Sequence, residues 1–109
     1  MENKVIKDVR KALVRHFLDI IVLNNIRDHG PLSGYDIMEL VQTRFNFVMS
    51  SGTVYALLYS LERDGLVRSE LGEGKRVFKL TDKGGEYVDA VSHSKEEILN
   101  FVRVIFGNQ

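Results

Sequence analysis

A chain of 109 residues, 44% of them hydrophobic, is long enough for one compact domain with a real core. It has no cysteine, which excludes disulfides and thiolate metal sites. Fifteen basic residues balance fifteen acidic ones, which counts against a strongly electrostatic nucleic-acid binder and makes the distribution of charge matter more than its sum. The balance conceals a shallow gradient: net charge is +2 over residues 1–29, −1 over 30–49, +1 over 50–80 and −2 over 81–109. The opening MENKVIKDVRKALVRHF lacks a signal-peptide pattern, and the longest apolar block, Ile20 to Leu23, is far short of a membrane span. A soluble, cytoplasmic protein with no membrane partner is expected.

In the first 29 residues, Val5, Val9, Leu13, Phe17 and Ile20 recur about one helical turn apart, with Ile6, Val14, Ile21 and Ile26 alongside. This predicts helix, nearly fully buried around Ile20 to Leu23; periodicity leaves open whether it breaks near Ala12 to His16. Gly30 suits a C-terminal cap, and Pro31 cannot continue the helix. Ser33 is a plausible N-cap for a second helix, whose inward stripe is Ile37, Leu40, Val41 and Phe45. After the short connector RFNFVMSSG, Ser50 is the N-cap candidate for a third helix with an apolar face of Val54, Leu57, Leu58 and Leu61. Gly65 fits a left-handed cap at its end.

The runs LVRSE and RVFKL then flank a glycine-bearing turn, which predicts a β-hairpin with Phe78 and Leu80 on one pleat face and Arg76 at the turn. Thr81 is the N-cap candidate for a final helix running to about Phe106, roughly 39 Å long at 1.5 Å per residue. Three helices, a hairpin and a long helix make the winged helix-turn-helix plan, since a two-stranded hairpin must pack on something. The expected fold is therefore mainly α with a small β-hairpin, with added N-terminal and C-terminal dimerisation helices. Within one compact unit, residues 1–80 would form the docking part, including the N-terminal helix, and 81–109 the dimerisation helix.

The segments SGYDIMELV, SSGTVYALLYSLERDGLV and RVFKLTDKG, in that order and spacing, resemble the PadR family of winged-helix transcriptional regulators. The resemblance covers about Phe17 to Gly84, with a short C-terminal helix as in the family's smaller members. Ala56 stands where the family usually has proline, and Phe78 where it usually has tyrosine. The resemblance implies a sequence-specific, double-stranded-DNA-binding regulator, a repressor acting as a homodimer, with a small aromatic compound as a possible effector. The alternative is a winged-helix protein-interaction module that makes no direct DNA contact, which the neutral charge keeps open.

On the third helix, the face opposite the apolar stripe presents Gly52, Tyr55, Ala56, Tyr59, Ser60 and Arg63. The bland explanation is a surface where tyrosines cover their neighbours and Arg63 pairs with an adjacent acid. In a helix-turn-helix, however, this is the element that enters the major groove. Small residues at its start permit close approach to phosphates at a helix N-terminus. The candidate DNA-binding residues are thus Ser50, Ser51, Thr53, Tyr55, Tyr59 and Arg63, joined by Lys75 and Arg76 from the wing. Early in that helix there is no asparagine, glutamine or arginine for bidentate base reading, so docking is better supported than a specific code.

The candidate dimer seam is Tyr87, Val91, Ile98, Phe101, Val102 and Ile105, with Ser94 as the polar member of a heptad spacing. The competing explanation is that the N-terminal helix covers this stripe within one chain. His16, His29 and His93 are too scattered for a metal site, Glu96 and Glu97 point apart on a helix, and Ser33 and Ser50 lack a nucleophile's context. Neither an enzyme nor a cofactor is expected.

Overall fold

The structure, a computed structural model, describes residues 3–107. Met1, Glu2, Asn108 and Gln109, the outer ends of the expected 1–80 and 81–109 parts, lie outside the described residues. Six helices and one hairpin follow in the order α1 (Lys4–His16), α2 (Leu18–His29), α3 (Gly34–Phe45), α4 (Ser51–Arg63), β1 (Val67–Gly72), β2 (Lys75–Leu80), α5 (Asp82–His93) and α6 (Lys95–Ile105).

Side-chain caps set the starts of the three helices around the hairpin. Ser33 accepts from the Asp36 amide while the Asp36 carboxylate accepts from the Ser33 amide, a complete capping box for α3. Ser50 accepts from the Thr53 amide at the start of α4, and Thr81 from the Gly84 amide at the start of α5. The Thr81 hydroxyl also donates to the Gly65 carbonyl at 2.5 Å, clasping the start of α5 to the end of α4. There Gly65 adopts φ 79°, and the Leu66 amide returns to the Leu61 carbonyl, which closes α4 as a glycine-dependent cap does.

The core gathers one face from each central element: Val22, Leu23 and Ile26 of α2, Ile37 and Val41 of α3, Val54, Leu58 and Leu61 of α4, Val67 of β1, Phe78 of β2 and Val88 of α5. Phe78 is wholly buried, and its backbone pairs in both directions with Leu32 (Leu32 N–H to Phe78 O 3.0 Å, Phe78 N–H to Leu32 O 2.8 Å). This one-residue bridge sets Leu32 beside β2 as a minimal third strand and ties the hairpin to the start of α3. A single pairing residue carries no alternation, so sequence periodicity had nothing to detect.

Two expectations need correction, and the question left open for the first 29 residues is answered. The N-terminal helix is two helices, parted at Phe17 (φ −110°, ψ 21°) with the chain still bonded across the joint, Phe17 N–H to Leu13 O and Ile21 N–H to Phe17 O. The joint lets α2 enter the core while α1 leaves it: Val14 is the only buried residue of α1, and Val5, Ile6, Val9, Leu13 and Phe17 are exposed. The final helix is likewise parted, at Ser94 (φ −97°, ψ 9°), into α5, which packs on the core, and α6, none of whose residues is buried. Neither joint has glycine or proline, the usual breakers, so neither was legible.

In the hairpin, the strands reach further than expected and the turn is only Glu73 and Gly74, both at positive φ (50° and 79°), the two-residue arrangement that matches strand twist. Arg76 is thus in β2, opposite Leu71, rather than at the turn.

With α1 and α6 reaching out, the Cα radius of gyration is 15.2 Å and the principal extents are 51 × 31 × 21 Å. A compact domain of this length would have a radius near ~13 Å.

Candidate nucleic-acid interface

The surface centred on α4 is built from its N-terminus outward. The Ser50 hydroxyl accepts the Thr53 amide (3.2 Å) and donates to the Thr53 hydroxyl (3.0 Å), so these two predicted contact residues first serve the helix itself. Ser51 is exposed at the first helical position. The amides of Ser51 and Gly52 have no carbonyl one turn earlier, as at every helix start, and sit where the helix dipole favours an anion. Beyond them, Gly52, Ala56, Tyr59 and Arg63 form an exposed stripe at one-turn spacing, opposite the buried Val54, Leu58 and Leu61.

The two tyrosines differ. Tyr59 is 41% exposed and stands edge-on to Phe78, with ring centroids 5.9 Å apart. Tyr55 is half-buried; its ring lies 6.1 Å from Tyr59 and 6.3 Å from Phe78 and covers the start of α3 at Gly34. These rings join α4 to the wing strand, so the covering role considered for them is present alongside an exposed edge at Tyr59.

The wing cations do not share one face. Lys75 and Arg76 are successive residues of β2, and successive strand side chains point to opposite faces. Each meets an acid. Lys75 Nζ lies 3.6 Å from Asp36 Oδ2 of α3. Arg76 Nη1 donates to Ser69 Oγ at 3.1 Å, and both the amide and the hydroxyl of Ser69 donate to Glu62 Oε2 of α4 at 2.9 Å. Lys79 pairs with Glu70 across the strands at 3.6 Å.

The Ser33 amide and hydroxyl, with Lys75 nearby, hold the Asp36 carboxyl below its ordinary pKa against the opposing effect of burial. The two Ser69 donors, aided by Arg76, do the same for Glu62. Both groups are therefore ionised at neutral pH. Asp36, Glu62 and Ser69 were not among the residues singled out from sequence, because each acts on a partner in another element and no local spacing marks it. Arg63 is exposed at the end of α4, and Arg68 is exposed on β1 opposite Lys79.

Away from this face, the proposed seam residues are open. Phe101 is 66% and Ile105 62% exposed, Tyr87 and Ile98 are exposed to lesser degrees, and Val91 and Val102 are half-buried. The break at Ser94 means that the heptad spacing does not run along one straight helix; Ile98, Phe101 and Ile105 share a face of α6, and Tyr87 and Val91 belong to α5. A groove of about 320 Å³, lined by Leu13, Val14, Phe17, Ile21 and Phe45 with Arg10 and Arg44, opens between α1, α2 and the end of α3.

The profile described as the transcriptional regulator PadR-like family matches residues 22–90, more than half of the chain and all of the helix-turn-helix and wing. The chain belongs to the PadR-like family of transcriptional regulators. It is 24% identical over 105 residues to the transcriptional activator GvpE1 of Halobacterium salinarum, an alignment covering 96% of this chain and 54% of the relative. The chain thus spans about half the length of that curated relative. The PadR family regulator of Eggerthella lenta superposes with a TM-score of 0.76 at 23% identity, covering 96% of this chain and 95% of that one. F93 from STIV, a winged-helix DNA-binding protein, superposes with a TM-score of 0.59 at 24% identity, covering 88% of this chain and 95% of that one. These likenesses establish the winged-helix fold. Among the described residues, no helix is long and apolar enough to cross a membrane.

Proposed function

We propose that this PadR-like regulator is a non-catalytic, cytoplasmic, double-stranded-DNA-binding protein that docks α4 into the major groove as a homodimer. The observation that carries the reading is the start of α4: an exposed, small-residue N-terminus with outward amides at Ser51 and Gly52, continued by the exposed stripe through Tyr59 to Arg63. Ser50 and Thr53 shape that terminus, Ser51 and Arg63 meet phosphates, and Tyr59 borders the groove. Tyr55, Lys75 and Arg76 hold the wing beside it.

The homodimer is supported by two apolar faces that one chain leaves open, Val5, Val9, Leu13 and Phe17 on α1 and Ile98, Phe101 and Ile105 on α6. Soluble monomers seldom expose patches of this kind. Pairing α6 of one copy with α1 of its partner covers both faces twice under one twofold axis. In this division of labour, the part expected over 1–80 docks through α3, α4 and the wing and lends α1 to the pairing, and the part expected over 81–109 pairs the copies through α6. Repression is the proposed output, following the family resemblance. The halobacterial relative is named an activator, and a promoter fusion decides the sign. A small aromatic effector, if one acts, has the groove beside Phe17 and Phe45 as its candidate seat.

Selection of bound duplexes from a random pool tests the reading. It should return a roughly palindromic site with half-sites about one DNA turn, or a multiple, apart. Recovery of no enriched sequence, with no retention on duplex at low salt, would favour the protein-interaction alternative.

A further inference from the structure

Lys75 and Arg76 are the cations a winged helix would be expected to offer to the DNA backbone, yet each is already engaged. Lys75 sits 3.6 Å from the Asp36 carboxylate, and Arg76 is tied through Ser69 to the Glu62 carboxylate. The two acids come from the two helices of the helix-turn-helix, α3 and α4, the elements that the DNA-binding reading brings to the duplex. We propose that Asp36 and Glu62 are specificity-determining residues: they hold the wing cations against carboxylates, so that the wing adds little attraction to phosphates that any sequence would supply.

This inference rests on the DNA-binding reading and deepens it. Phosphate attraction carries no sequence information, and specificity is the difference between affinities for right and wrong sites. The Asp36 carboxylate beside Lys75 must be displaced when a phosphate takes its place. A phosphate that draws Arg76 from Ser69 must tolerate the repulsion of the Glu62 carboxylate behind it. That cost arises only where the wing is drawn onto the backbone. A site that α4 holds well through the groove can leave the wing cations on their carboxylates, whereas a site with poor groove contacts needs the wing and bears the cost. The pairs are suited to such exchange, since both side chains of the Lys75–Asp36 pair are substantially exposed and surface ion pairs are weak. The depressed pKa values of both carboxyls keep the opposing charge in place at neutral pH. The zero net charge of the whole chain fits a protein that does not rely on bulk attraction.

The test compares wild type with Asp36→Asn/Glu62→Gln, in which each amide oxygen still accepts from Ser33 or Ser69 but the charge is gone. Anisotropy titrations across a salt series use a random-sequence duplex and a duplex selected from the pool. The carboxamide variant should bind the random duplex on the order of tenfold more tightly, with a salt slope steeper by ~0.9 for each further phosphate that the freed cations neutralise. The selected duplex should gain less, so that discrimination shrinks. Adding Lys75→Gln and Arg76→Gln should abolish the gain. An unchanged or weaker affinity for the random duplex overturns the inference, as does a gain that survives loss of the two cations. If the double variant does not melt cooperatively, Glu62→Gln alone, which leaves the capping box intact, should show the same effect for Arg76. Wild type that binds neither duplex defeats the DNA-binding reading itself; wild type that binds while the carboxamide variant is unchanged defeats this inference alone.

Discussion

Tyr55 closes over Gly34: a methyl group built on Gly34 would lie 2.5 Å from Tyr55 Cζ. The ring cannot simply swing aside, because Tyr59 and Phe78 stand beside it at centroid distances of 6.1 and 6.3 Å. Gly34 is therefore a steric requirement at the first position of α3, where alanine would otherwise be favoured. Gly34→Ala should cost about 1–3 kcal/mol by overpacking. In thermal melts, Gly34→Ala with Tyr55→Leu should cost less than the sum of the single changes, and strict additivity would show that the two residues do not conflict.

Phe78 anchors the wing from the inside, fully buried and bonded on both sides of its backbone to Leu32. Phe78→Ala should lose about 3–5 kcal/mol, a large share of the ~5–15 kcal/mol that holds a domain together. Denaturant unfolding gives the number. A loss below ~1 kcal/mol, the range of ordinary surface changes, would mean that the wing is held elsewhere.

Asp36 and Glu62 predict an acid limb in stability. Their folded pKa values lie below the ordinary ones, so at neutral pH both are ionised in both states and their bonds contribute in full. As pH falls through the ordinary carboxylate range, near ~4, the unfolded chain takes up protons first and stability declines. The contribution is gone once pH is below the folded values. Melting temperature should fall more steeply with acidification in wild type than in Asp36→Asn/Glu62→Gln. Parallel curves would contradict the assignment.

Much of this was legible because it is local. Ser33, Ser50 and Thr81 cap helices as their side-chain chemistry requires, and Gly30 and Gly65 end them at φ 81° and 79°. The joints at Phe17 and Ser94 were not legible, since apolar periodicity runs straight through a bend that only packing on the core decides. The α4 face was readable as a candidate, but its electrostatics were not. Lys75 and Arg76 look like free cations in sequence, and only the fold brings Asp36 and the Glu62–Ser69 pair to them.

Because no residue of α6 is buried, charges placed on its outer face should leave the protomer folded. Phe101→Glu/Ile105→Glu should sediment as a monomer with a cooperative melt, and its affinity for the selected duplex should collapse although no proposed DNA contact has changed. Leu13→Glu, on the opposing α1 face, should do the same. If these variants remain dimers with full affinity, the seam is wrongly placed.

The central claim, that the start of α4 docks on DNA, is tested most directly by Ser51→Glu. The residue is exposed, and a carboxylate at the first turn of a helix stabilises it, by ~0.3–1 kcal/mol through the dipole. The same carboxylate would face phosphates if the terminus enters the groove. Measured by anisotropy against the selected duplex, with melting temperature recorded in parallel, the variant should be as stable as wild type or more so and yet lose DNA binding. A stable Ser51→Glu protein that binds the selected duplex with wild-type affinity would contradict the account.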